Sequence, residues 1–540
     1  GEWGVTARAL GIRHGRHGGR LVSRVLWSRD ARAIPWPRAA GATGPPDARS
    51  IAGTLASGAA LAPNGRRLKV PGGPPPGDHR RPATIVDQQR QSVLSDKTTP
   101  IQTRIPAETH GISLNDLSEN ARFVLERLHE GGFEAYAVGG CVRDLLRGRH
   151  PKDFDVVTDA RPEQVKRLFK RARIIGRRFK IVHVVFRDEL IEVTTFRGGD
   201  AAEVKRADGG MITRDNVFGT IDEDVWRRDF ACNALYLDFA SGELVDYVEG
   251  LTDIHSGRLR VIGEPESRYR EDPVRMLRAA RFAAKLGFHL TDDSERAIAH
   301  CRDTIADIAP ARLFDETVKL LQGGAGRQTV LELKRLGLLA YLFDDLATWI
   351  EPNDPASDWE LIQAVLEATD DRVAKDLPVN PAFLFAGLFW RMLGRRRMHW
   401  LHQRVPADDA LVLAADDVLA VAARRLMIPR RLAEIIRAIW SLQPELERDS
   451  PSANQTASSL SDEQKALTTA PWFRAAVDFL CLRSRTREVD QSICEAWRRH
   501  APERGGAEDA SVDALKPSDF GKKRRRRRRR SGGNRQKAGV

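Results

Sequence analysis

Asp153 and Asp155, in the stretch "HPKDFDVVTD", place two carboxylates two residues apart inside an apolar, β-branched run. In a strand, residues i and i+2 point to the same face, so both acids aim at one spot. Like charges held that close repel unless a cation sits between them. Hard oxygen donors in a small site suit Mg²⁺. An exposed strand edge with alternating acids would carry the same pattern, and for a bare DxD that reading is at least as good. Upstream, "AYAVGGCVRD" reads as a strand, a Gly139-Gly140 turn and a helix. Glycines there let backbone N–H groups approach an anion at the helix start, and Arg143, one turn in, can reach the same anion. Most GG pairs are plain turns. Downstream, "LIEVTTFRG" offers Glu192 as a third carboxylate, or as an ordinary solvent-facing strand position. "WRRDFACNAL" sets Arg227, Arg228 and Asp229 before an apolar run, which a salt-bridged helix start would also explain.

These residues need a scaffold, and the sequence pattern supplies one. "ISLNDLSENARFVLERLHEGG" predicts a helix capped by Asp116 or Ser118 and stopped at Gly131-Gly132. "EAYAVGG" predicts a strand, "CVRDLLRG" a short helix, "DFDVVT" a strand, and "PEQVKRLFKRA" a helix with Pro162 in its first turn. "KIVHVVF" and "LIEVTTF" predict two further strands. From about 270 to 500 the period is helical, interrupted by a polar break, "ERDSPSANQTASSLSDEQ". Residues 1 to about 100 are rich in Arg, Gly, Pro and Ala without apolar periodicity; they read as a disordered extension or a stretch not normally translated, and resemble a transit peptide in composition. Lys522 to Arg530 are nine consecutive cations, a self-repelling block expected to stay disordered.

A formal charge of +13 over 540 residues and a pI near 9.7 point to a polyanionic partner, RNA or DNA first. No run of 18 apolar residues exists; "PAFLFAGLFW" is half that length and reads as a buried helix, so a soluble chain without a transmembrane segment is expected. Five cysteines, odd in number and without a CxxC pair, suit a reducing, cytoplasmic setting and argue against zinc.

Four segments together, "AYAVGGCVRDLLRGRHPKDFDVVTDARPEQVKRLF", "IEVTTFRG", "RRDFACNALYLD" and "YREDPVRMLRAARFAAKLGF", resemble the class II nucleotidyltransferase superfamily, which contains bacterial poly(A) polymerases and CCA-adding tRNA nucleotidyltransferases. The resemblance covers about 105 to 450. It implies an α+β fold: a small mixed-sheet nucleotidyltransferase head followed by an all-α neck, body and tail, with disordered basic termini. The implied divisions are an extension at 1–105, the head with its catalytic carboxylates at 106–250, a neck for nucleotide selection and RNA binding at 251–330, an RNA-binding body and tail at 331–500, and a basic tail at 501–540. By the same resemblance Asp153 and Asp155 hold two Mg²⁺ ions for phosphoryl transfer. Asp229 is the third catalytic carboxylate, Glu192 a supporting one. Gly139, Gly140, Arg143 and Arg228 bind the nucleotide, with ATP as substrate.

In "EDPVRMLRAARF", Asp272, Arg275, Arg278 and Arg281 recur at steps of three, and the first three share roughly a third of a helix circumference. An N-cap and an i,i+3 ion pair would explain them. The resemblance implies instead an element that reads a base edge, replacing a template. "GRRFKIVHVVF", containing His183, is similar to the pattern of the poly(A) polymerase branch, as is "PAETHGISLNDLSENA". The implied activity is addition of AMP from ATP to RNA 3′ ends with release of pyrophosphate. CCA addition to tRNA is the alternative, and a non-catalytic RNA-binding protein on the same fold is an alternative of another class. Implied partners are RNA 3′ ends and the RNA-decay machinery, with peripheral membrane contact through the basic tail as a further expectation. "WRMLGRRRMHWLHQR" interleaves Arg with Trp390 and Trp400, which suits either RNA stacking or two packed tryptophans on a cationic helix; packing is the better reading. Deleting 521–540 should weaken RNA binding most at low salt and flatten its salt dependence, because fewer counterions are released. Filter binding across a salt series checks this, and an unchanged slope would mean that the tail does not touch RNA.

Overall fold

The computed structural model describes residues 102–176, 180–198, 217–343, 350, 358–452 and 454–501, and the backbone alone of strands at 13–17, 20–24, 205–206 and 212–214. The chain divides into two units, Gly1–Val93 and Leu94–Val540. In the first, β1 (Arg13–His17) and β2 (Arg20–Arg24) pair as an antiparallel hairpin. The sequence pattern had suggested no regular structure there. The tail Lys522–Arg530, Arg177 to Phe179 of "GRRF", and most of the Gly-rich connection after Gly198 lie outside the described residues.

The head is built on an eight-stranded sheet. Its strands are β3 (Thr103–Ile105), β4 (Ala135–Val138), β5 (Asp155–Thr158), β6 (Ala172–Ile175), β7 (Ile181–Val185) and β8 (Leu190–Thr195), followed, after the short pair β9 (Lys205–Arg206) and β10 (Ile212–Arg214), by β11 (Leu235–Asp238) and β12 (Leu244–Asp246). The spatial order is β3-β12-β11-β4-β5-β8-β7-β6. All neighbours are antiparallel except β5 and β8, which run parallel. Edge strand β3 lies just upstream of the boundary expected for the head. The sequence pattern also missed β6, β11 and β12, each short and without clear alternation.

Alternation along the strands separates two faces. Ala135, Ala137, Val156, Val182, Val184, Ile191 and Val193 belong to the large core, under helix Glu119–Glu130, whose Ala121, Val124, Leu125 and Leu128 are buried. Tyr136, Val138, Val157, Tyr236 and Val245 face the other way and form a smaller cluster with Phe196 and Val225. The helix cap is Ser118, which accepts a hydrogen bond from Ala121 N at 3.1 Å; Asp116 instead closes a one-turn 3₁₀ helix with Ser113. The Ser118 hydroxyl also donates to the Glu189 carboxylate, pinning the helix to the β7–β8 turn.

The neck, body and tail are helical, as expected. Pro265–Glu271 and Val274–Leu286 form the junction with the head. Two expected helices are each split in two. "QTVLELKRLGLLAYLF" breaks at Gly337, whose φ of +68° lies in the left-handed region that glycine enters without the strain a Cβ brings. "PAFLFAGLFWRML" forms Pro381–Leu388 and Trp390–His402. Trp390 and Trp400 are packed against the core, their indole N–H groups bonded to Glu488 and Asp417, so the packing reading of that stretch holds. Cys481 and Cys494, with no motif to announce them, are brought together as a disulfide by helices Phe473–Arg485 and Gln491–Arg498. Cys141, Cys232 and Cys301 are free and buried. Ser118→Ala should cost about 1–2 kcal/mol, since it removes a helix cap and a tie to Glu189. Urea unfolding would measure this, and a loss below about 0.3 kcal/mol would deny the cap its role.

Candidate active site at the start of strand β5

The strand begins at Asp155, not at Asp153 as the alternation suggested. Asp153 is exposed on the bend before it, and the intervening Phe154 is buried. Burying Phe154 sends its neighbours on both sides outward, so the two carboxylates still belong to one locality. Asp155 stands opposite Glu192 across the parallel β5–β8 pairing. Glu192 in turn stands opposite His183 on β7, with His183 Nε2 3.1 Å from Glu192 Oε1. The row Asp155, Glu192, His183 thus crosses three strands on the face away from the main core.

Gly139 ends the neighbouring strand with φ +83° and ψ −132°, a backbone region essentially reserved for glycine. A Cβ there would lie 3.7 Å from Asp155 Oδ2 and 3.9 Å from an Arg228 terminal nitrogen; one on Gly140 would lie 3.5 Å from an Arg143 terminal nitrogen. The turn therefore sits between the carboxylate and two guanidinium groups. Arg228 is held from behind: its Nε donates to Asp224 at 3.0 Å and to the Tyr236 hydroxyl at 2.8 Å. Burial opposes its charge, but Tyr236 and buried Asp224 outweigh this and raise its pKa above the ordinary value. Arg143 departs from the expectation that it extends to an anion. It is buried, donates to Asn233 Oδ1 at 2.6 Å and to Asp144 Oδ1 at 2.8 Å, and lies over the Phe282 ring.

Burial, then Glu192, push the Asp155 carboxyl up to about 6; Arg228 opposes them and Asp153 adds to them. Asp229 behaves oppositely. Burial would raise it, but Arg278 at 2.5–2.7 Å holds it below the usual carboxylate range. Its other oxygen accepts from Phe230 N. Charge coupling thus joins Asp153, Asp155 and Glu192 in one group, while Asp229 is joined to the neck arginines.

The neck residues find partners inside the protein. Asp272 accepts from Arg312 at 2.8 Å. Arg275 is buried and donates to Glu271 at 2.7 Å and to the Arg268 carbonyl at 2.8 Å. Arg268 pairs with Glu271 and donates to the Arg228 carbonyl at 2.7 Å, tying neck to head. Arg278 and Arg281 lie over Phe282 at 5.4 and 4.9 Å, beside Arg143. Arg268, Glu271, Arg312, Asp224 and Tyr236 were absent from the sequence reading. The first two adjoin the neck motif and could have been suspected from it; the others carry no local signal.

Among the described residues, no three His, Cys, Asp or Glu side chains converge as a ready metal cage. Burial pushes the Cys141 and Cys232 thiols up to about 12, so both stay protonated. The donors at hand are carboxylate oxygens. An Asp155 pKa raised above its unfolded value means that the ionised form burdens the fold: this group's contribution to stability is fullest below about pH 4 and is lost as pH rises through about 6. Asp155→Asn, always neutral, escapes that loss. In EDTA at pH 7.5 the variant should be more stable by about 1–2 kcal/mol after screening, the gap closing near pH 4. Urea unfolding at the two pH values checks this; no gain at pH 7.5 would mean that burial and Glu192 do not burden the Asp155 carboxylate.

Residues 135–260 match the family model "Poly A polymerase head domain", 287–350 the model "Probable RNA and SrmB- binding site of polymerase A", and 403–531 the model "Polymerase A arginine-rich C-terminus". The chain is 44% identical over 407 residues to poly(A) polymerase I of Salmonella typhimurium, covering 74% of this chain and 85% of that one. It is 45% identical over 392 residues to poly(A) polymerase I of Escherichia coli O157:H7, covering 71% and 82%. A CCA-adding enzyme of Lactobacillus helveticus is 35% identical over 276 residues, covering 48% and 67%. Higher identity over a longer span separates the two groups: the chain belongs to the bacterial poly(A) polymerase family.

Proposed function

We propose that this protein adds AMP from ATP to RNA 3′ ends without a template, releasing pyrophosphate. As a member of the family it is a polynucleotide adenylyltransferase. The observation that carries the site reading is the Asp155 carboxylate, set beside Glu192 and facing the Gly139 turn and Arg228. Crowded carboxylates with oxygen-only donors fit Mg²⁺, which binds through one or two carboxylates and completes its shell with water and substrate phosphates. Asp153 and Asp155 would hold it, two ions in all, and when bound it activates the RNA 3′-hydroxyl and neutralises the leaving pyrophosphate.

The protein's own residues supply position and charge. The Gly139-Gly140 turn admits the triphosphate close to the backbone, and Arg228, fixed by Asp224 and Tyr236, presents a cation to it without reorganising. Arg143 holds the helix that follows the turn and lends positive potential from behind. Asp229, Arg278 and Arg281 set the wall between head and neck. Base choice falls to Asp272 and Arg275, which must exchange Arg312 and Glu271 for a base edge or act through them. The protein works in the cytoplasm, its tails feed RNA decay, and its basic C-terminus engages RNA phosphates or an anionic membrane surface.

The test is a gel of products from an unstructured RNA and from a tRNA lacking its CCA end, each with Mg²⁺ and ATP, CTP or both. Many adenylates should be added to both RNAs from ATP, and few or no cytidylates from CTP. Restoration of CCA on the tRNA, with the unstructured RNA left unextended, would install the CCA-adding reading; no incorporation at all would install the non-catalytic one.

A further inference from the structure

Far along the chain from the carboxylates, the tail encloses a cavity of about 380 Å³ between the end of helix Trp359–Ala374, the loop to Asn380, and helices Phe473–Arg485 and Gln491–Arg498. Two aromatic side chains, Trp472 and Phe383, stand in its wall. Trp472 holds φ at +66°, the left-handed region that a bulky side chain rarely occupies, and caps helix Phe473–Arg485 from there. The indole is half-buried against the main core and lines the cavity.

The charge around the aromatics is unbalanced. Arg372 is spent on the Pro378 carbonyl and Arg474 is paired with Asp478. Lys375, Arg485 and Arg498 also line the cavity, all exposed; among the described residues none of the three makes an ion pair or side-chain hydrogen bond. Asp371 is the one further acid in the lining. An indole and a phenyl ring with cations at the rim combine the two things that a single-stranded nucleic acid offers: a base face to stack and a phosphate to neutralise.

We infer that this cavity is a second RNA site, which seats a nucleotide of single-stranded RNA upstream of the 3′ end being extended. A base lies against Trp472, and the flanking phosphates meet Lys375, Arg485 and Arg498. Because a stacked π-face is tolerant of sequence, the site grips a homopolymeric tail as readily as the transcript it extends. This rests on the reading of single-stranded RNA as the substrate, and it adds a hold on the strand that is independent of the head.

The test uses the full-length protein, without ATP, and a 20-nucleotide oligoadenylate carrying internal 8-azidoadenosine. After irradiation, the crosslink should map to the peptide containing Trp472. Arg485→Glu with Arg498→Glu should reduce that crosslink at least tenfold and raise the KM for the oligonucleotide about tenfold, with kcat at saturation unchanged; the double Lys variant should keep both near wild type. Crosslinks confined to other peptides, or a crosslink indifferent to the Glu changes, would overturn the site. So would equal competition by duplex RNA, or by polyglutamate, which would mark the cavity as a seat for an acidic protein segment. Crosslinking that persists in a protein unable to add adenylates would count against the activity proposed above and leave this site standing.

Discussion

The parallel pairing of β5 with β8 holds the Asp155 and Glu192 side chains abreast, and the rest of the head is arranged around that enforced proximity. A sheet has no freedom to relieve such repulsion, because sliding the register by one residue would turn Val156 and Val193 out of the core. The apolar face therefore dictates where the acids stand. What can vary is the surroundings: Arg228 on one side, His183 on the other, and a glycine turn that leaves room between. Carboxylates that repel in the free protein are poised to gain from any cation that joins them.

The same logic in reverse explains the junction of head and neck. Asp229 with Arg278, and Glu271 with Arg268 and Arg275, are mostly buried ion pairs whose partners come from the segments that meet there. Such pairs contribute little net stability, yet losing one partner strands a charge in a poor solvent. They act as register pins. Arg268 reaches the Arg228 carbonyl, one residue from Asp229, so a shift of the neck helix would be felt at Arg228 itself. Phe282 gives the cations a shared neighbour: Arg143 from the head and Arg278 and Arg281 from the neck all lie over its ring.

Much of this was legible in order along the chain. Strand alternation in "KIVHVVF" and "LIEVTTF", glycine stops, and the proline at the start of Pro162–Leu168 are local signals, and each element appears where its pattern puts it. The carboxylate pair was legible because two acids in an apolar run conflict with burial. Glu192 could be named as a candidate for the same reason. Short strands such as β6, β11 and β12 were not legible, since their stability comes from neighbours in the sheet and not from their own residues.

By itself the sequence determined the α+β division, the acids available for chemistry, the glycines at the turn and the excess of positive charge. Tertiary structure alone decided which acid is crowded and which is paired. Asp155 and Asp229 are the same residue type in similar apolar company, yet burial and then Glu192 drive one carboxyl up, while Arg278 overrides burial and holds the other down. Nothing local distinguishes them, because electrostatic energy depends on distance in space, and these partners lie 37 and 49 residues away along the chain. The disulfide of Cys481 with Cys494 and the cavity around Trp472 arise in the same way, from helices that meet only once the apolar faces of the tail have packed.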